Sequence, residues 1–65
     1  GRSSAKDFIN FLSVARGSLY ELMTQLYIAR EIGYLTEEDF STFQKKIEDL
    51  SHKIIAMTKY LRNKK

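Results

Sequence analysis

The sequence predicts an all-α protein, an antiparallel two-helix hairpin. Three observations carry that prediction. Apolar residues recur at alternating steps of four and three on both sides of residue 33, proline is absent, and one short glycine-containing turn divides the chain into nearly equal halves. A seven-residue apolar repeat holds one stripe of a helix against a neighbour and favours parallel or antiparallel packing. Without proline, nothing removes a hydrogen bond from a helix interior.

The first helix is expected over about 4–32. Ser4 is its N-cap, with Asp7 three positions on to complete a capping box. Its apolar seam runs Phe8, Leu12, Ala15, Leu19, Leu22, Leu26 and Ala29. The turn is expected over 33–35: Gly33 stands where a left-handed C-cap residue is wanted, and Tyr34 is placed to fold back over Ala29 or Ile28. Thr36 then caps a second helix expected over about 36–62, with Asp39 as its box partner and Leu35 and Phe40 as a hydrophobic staple. The second seam runs Phe40, Phe43, Ile47, Leu50, Ile54, Met57 and Leu61. Two equal helices joined by so short a connection must run antiparallel. Gly1 to Ser3 read as an entry segment, and Asn63 to Lys65 as a frayed end.

With 65 residues the chain is a single small domain, 1–65, at a size where one core is marginal. Having no cysteine, it forms no disulfide and no cysteine-held metal site, which fits a cytoplasmic protein. No apolar run approaches the roughly 18 residues of a membrane span, and no cleavable signal pattern opens the chain. A net charge of +3 permits phosphate or acidic partners without requiring them.

The hairpin is not expected to stand alone. Beyond its seam the first helix carries Ile9, Phe11, Val14, Tyr20, Met23, Tyr27, Ile28 and Ile32, and a helix apolar on most sides is buried on most sides. Its back carries small residues at near-helical spacing, Asn10, Ser13, Gly17 and Thr24. Gly17 costs about 1 kcal/mol against alanine inside a helix, a cost that close approach of another helix would offset; the plainer reading is a tolerated surface glycine. The candidate oligomer interface is therefore Ile9, Ser13, Gly17, Tyr20, Thr24 and Tyr27. On the second helix Lys45, Lys46, Glu48, Asp49, His52, Lys53 and Lys59 lie away from the seam, which makes the first helix central and the second peripheral. Further helices would come from other copies of the chain or from a missing N-terminal half.

Two contiguous stretches resemble a known family. The run from Lys6 to Leu22 (KDFINFLSVARGSLYEL) is similar to the middle of the four-helix bundle proteins encoded in 23S rRNA intervening sequences. So is the run from Thr24 to Leu35 (TQLYIAREIGYL), where a helix ends in a glycine-tyrosine-leucine turn. The accessory proteins of diversity-generating retroelements look like cousins. The resemblance implies that this chain is the C-terminal half of a four-helix bundle whose two N-terminal helices are absent. It also implies homo-oligomers, pentameric rings or barrels with basic surfaces, and a link to nucleic acid, with no catalytic residues.

The chemistry-bearing residues agree with a non-enzymatic module. His52 is the sole histidine; Asp49 and Glu48 precede it at helical spacing, but its position far from the seam makes it a surface residue. No nucleophile with a base and an orienting group is recognisable, and no phosphate-cradling glycine loop occurs. No catalytic, metal or cofactor-binding residue is assigned, no cofactor is expected, and neither a membrane nor a small-molecule substrate is expected as a partner.

Charge layout is the stronger hint. Folding the hairpin gathers Arg2, Lys6, Lys59, Arg62, Lys64 and Lys65 at the open end, while Glu31, Glu37, Glu38 and Asp39 gather at the turn. The functional reading is sequence-independent, salt-sensitive contact with RNA or DNA phosphates through those six cations. Its rival is that acids at the start and bases at the end of the second helix complement its macrodipole. Of the four tyrosines, Tyr20 and Tyr27 read as a helix–helix contact, Tyr34 as part of the turn, and Tyr60 as the one to test for base stacking. The sequence thus predicts a module that self-associates into a bundle, with nucleic-acid phosphates as a secondary partner; the alternative is a pure protein–protein scaffold.

Overall fold

The computed structural model describes residues 4–64. They form two 27-residue helices, α1 (Ala5–Glu31) and α2 (Glu37–Asn63), packed antiparallel as a hairpin. Each start is fixed by a hydroxyl. The Asp7 amide donates to Ser4 Oγ at 3.1 Å, and the Asp39 amide donates to Thr36 Oγ1 at 3.0 Å. Both caps satisfy an N–H that has no partner within its own helix.

The end of α1 closes as a Schellman turn. Gly33 takes φ +88°, its amide donates to the Arg30 carbonyl at 3.1 Å, and the Tyr34 amide donates to the Ala29 carbonyl at 2.8 Å. Only glycine adopts that φ without a steric penalty. The fold-back at Tyr34 is made by its backbone; the ring itself is 82% exposed. On either side of the Thr36 cap, Leu35 is half-buried and Phe40 is buried, the arrangement a hydrophobic staple requires.

The core is thin. Among the described residues, Leu12 and Phe40 are the buried apolar side chains, the first toward the open end and the second just past the turn. Phe40 is held by two neighbours from the last turns of α1. Tyr27 lies against it at 5.2 Å between ring centroids, the Arg30 guanidinium sits 4.1 Å over its ring, and Arg30 also pairs with Glu37 at 3.7 Å.

Between those two anchors the seam differs from the heptad expectation. On α1 the half-buried positions include Ile9, Ala15, Leu19, Met23, Leu26 and Arg30; on α2 they are Gln44, Ile47, Ser51, Ile54, Ile55, Thr58 and Leu61. Five residues expected in the seam are 40–48% exposed: Phe8 and Leu22 on α1, and Phe43, Leu50 and Met57 on α2. The reason is geometric. An apolar stripe that spans a third of a helix circumference is wider than one neighbouring helix can cover. The polar column Gln44, Ser51, Thr58 turns inward on one side of the Phe40–Ile47–Ile54–Leu61 line. The apolar column Phe43, Leu50, Met57 is left facing out on the other.

Candidate functional site

The hairpin is a two-helix layer with two unlike faces, and residues three, four or seven apart on a helix share a face. One face is apolar. From α1 it takes Phe8, Phe11 and Leu22, and from α2 the outward column Phe43, Leu50 and Met57. Phe8 and Phe11 stack at 6.3 Å between ring centroids. They line an open cleft of about 670 Å³ at the free end of the hairpin, together with Leu61 and Lys64.

The opposite face is polar. Near the open end Ser13 and Arg16 of α1, with Thr58, Lys59 and Arg62 of α2, line a groove of about 270 Å³ floored by Ile9, Leu12 and Ile55. Three cations and no carboxylate line it. The Arg16 guanidinium also lies 5.8 Å over the Tyr20 ring and donates to Tyr20 Oη at 3.5 Å. A second groove of about 190 Å³ continues toward the turn between Arg16, Tyr20 and Tyr27 on α1 and Gln44, Glu48 and Ser51 on α2.

The two sets of residues singled out by sequence fall as follows. Of the six cations assigned to phosphate contact, Lys59 and Arg62 line the polar-face groove. Lys6 shares that face by register, in the series 6, 9, 13, 16. Lys64 lies on the other face against Phe8 and Phe11, its ammonium 5.9 Å from the Tyr60 ring centroid. Arg2 and Lys65 lie outside the described residues. Arg16, absent from the sequence-based set, completes the groove; its signal was a basic residue four positions from Leu12 on the same face, which charge counting at the chain ends overlooks.

Of the six residues assigned to an oligomer interface, Ile9 is half-buried in the floor of the polar groove. Tyr27 packs on Phe40. Ser13, Gly17, Tyr20 and Thr24 are exposed, and a Cβ added at Gly17 would meet nothing within 4 Å. The glycine is therefore not required by any contact inside the hairpin. His52 is exposed on α2.

With this arrangement in view, comparison with known proteins adds one decisive observation. The model of the 23S rRNA-intervening sequence protein family matches residues 1–56. The chain belongs to that family. The match covers all of α1, the turn and most of α2, so the family assignment made from the Lys6–Leu22 and Thr24–Leu35 stretches holds. No curated protein and no solved structure matches the chain. Among the described residues, no helix is long and apolar enough to cross a membrane.

Proposed function

We propose that this member of the 23S rRNA-intervening sequence protein family is a non-enzymatic helical-bundle module that self-associates. The observation that carries this reading is the uncovered apolar face, on which six large side chains from both helices remain 40–63% exposed. Apolar groups at this density on one face favour contact with further helices over contact with water. Light scattering across a dilution series tests it. The expected result is a mass above 7.6 kDa that falls on dilution, and a Phe43→Lys, Leu50→Lys double variant that stays at monomer mass. A wild-type chain that is monomeric at every concentration refutes self-association.

A second reading is favoured by the polar-face groove. Arg16, Lys59 and Arg62 offer three cationic side chains to one line of phosphates, and Lys6, on the same face of α1 by register, extends that line toward the open end. Such contacts bind RNA or DNA without sequence preference and weaken steeply with salt. Filter binding with single-stranded and duplex nucleic acid at low and moderate salt tests it. Retention at low salt should be lost in an Arg16→Glu, Lys59→Glu, Arg62→Glu triple variant. No retention at low salt leaves the module a pure protein–protein scaffold, and retention unchanged in that variant removes the groove as the binding surface.

A further inference from the structure

We infer that the polar face holds a single strand of RNA or DNA, with phosphates on Arg16, Lys59 and Arg62 and one base stacked on Tyr20. This rests on the phosphate reading proposed above and specifies the form of the nucleic acid and the side chain that selects it. Three observations point to it.

The first is continuity. Arg16 lines both grooves of the polar face, so the basic groove near the open end runs into the one beside Tyr20. The two parts differ in chemistry. The first is lined by Arg16, Lys59 and Arg62 and by no carboxylate. The second has half-buried Leu19, Met23 and Ile47 at its floor, with the Gln44 amide and the Ser51 hydroxyl beside them. A base has apolar faces and a hydrogen-bonding edge, so it suits the second part as a phosphate suits the first. Any helix that covers the apolar face leaves both grooves open, because they lie on the opposite side of the hairpin.

The second is Tyr20 itself. Its ring is 62% exposed, and it stands on the polar face, where cover for the apolar face does not reach it. The Arg16 guanidinium lies 5.8 Å from the ring centroid and donates to Tyr20 Oη at 3.5 Å. That contact joins an aromatic platform to the nearest phosphate-binding cation, and unstacked bases settle on tyrosine rings and guanidinium planes. Tyr27 also lines the groove but is engaged with Phe40. Tyr60, the tyrosine that the sequence marks for base stacking, has the Lys64 ammonium 5.9 Å from its ring centroid and does not line either groove.

The third is charge. Glu48 lines the groove beside Tyr20, and Glu31, Glu37 and Glu38 follow at the turn. Phosphates are therefore favoured from Arg16 to the open end, where Lys6 extends the line, and disfavoured beyond Tyr20. Four cations correspond to a footprint of about four nucleotides, the low end of single-strand sites. A duplex offers the same phosphates but keeps its bases stacked on one another, so Tyr20 adds nothing to its binding.

Fluorescence anisotropy with three labelled probes of equal length tests this: a single strand, its duplex, and a strand of abasic sugar-phosphate units. The unmodified chain should bind the single strand tightest, ahead of the abasic strand by roughly 5- to 150-fold, the range for one stacked base. Tyr20→Ala should lose that factor on the single strand alone, with binding of the other two probes unchanged. Tyr20→Phe keeps the ring and should bind as the unmodified chain does. The slope of log affinity against log salt on the single strand should fall by about 2 in the Arg16→Glu, Lys59→Glu, Arg62→Glu triple variant and not at all in Tyr20→Ala. Equal binding of the single and abasic strands, or a Tyr20→Ala loss shared by all three probes, overturns the stacked base and leaves the phosphate reading intact. Tighter binding of the duplex overturns the single-strand assignment. No binding of any probe overturns this inference together with the reading beneath it.

Discussion

Phe40 is the residue on which the hairpin most depends, and truncating it should separate apolar burial from ring-specific contacts. Its side chain is 3% exposed. A phenylalanine ring buries about 150–200 Å², which at about 25 cal/mol/Å² corresponds to about 4 kcal/mol. That lies within the range of about 3–5 kcal/mol for Phe→Ala in protein cores. The Arg30 guanidinium at 4.1 Å and the Tyr27 ring at 5.2 Å contribute about 1 kcal/mol each beyond area. Phe40→Leu keeps most of the apolar area and loses the ring contacts, so it should cost about 1–2 kcal/mol. Urea unfolding followed by circular dichroism reads both. A chain this small exposes little surface on unfolding, so each kcal/mol moves the midpoint by about 1 M. Phe40→Leu should therefore remain helical with a lower midpoint, while Phe40→Ala should be largely unfolded in buffer. Phe43→Ala, at a position 45% exposed in the hairpin, is the control and should show a loss that grows on dilution. Equal midpoints for Phe40→Ala and the unmodified chain would refute the role given to Phe40, and a Phe40→Leu midpoint equal to that of the unmodified chain would refute the part given to the ring.

Other substitutions probe the turn, the caps and the small-residue stripe. Gly33→Ala meets no steric neighbour, so its cost is the left-handed backbone alone, about 1–2 kcal/mol, seen as a lower melting temperature. A melt unchanged by that substitution would show that the turn can reclose with φ negative. Thr36→Ala removes the acceptor for the Asp39 amide and should cost about 1 kcal/mol by the same measurement. Gly17→Ala fills open space in a helix interior and should stabilise by about 1 kcal/mol. If instead it lowers the assembly mass in light scattering, another copy packs on the Ser13–Gly17–Thr24 stripe.

Local features were the legible part of this sequence. Ser4, Gly33 and Thr36 act through hydrogen bonds and backbone angles within a few residues, so reading them needs no knowledge of the partner helix. The antiparallel arrangement followed from the length of the connection between α1 and α2. Rotation of the helices about their own axes was not legible in the same way. On α2 the columns Phe43–Leu50–Met57 and Gln44–Ser51–Thr58 flank one inner line at equal seven-residue spacing, and hydrophobicity alone favours the first. In the hairpin the polar column turns inward beside that line, where Ser51 and Thr58 are compact and the Thr58 hydroxyl donates to the Ile54 carbonyl at 2.9 Å. Arg16 and Arg30 were missed for a related cause: both lie beside the α1 inner line and pack their guanidinium groups on aromatic rings, a use of arginine that a count of exposed charges does not reveal.

The bend between Glu31 and Glu37 has a kinetic corollary. Closing so few residues loses little chain entropy, and every later pairing between the helices extends from that closure outward. Assembly of the hairpin should therefore proceed like a zip started at Phe40, with the Ala5 and Asn63 ends engaging last. With no prolyl bond anywhere in the chain, no slow isomerisation delays it.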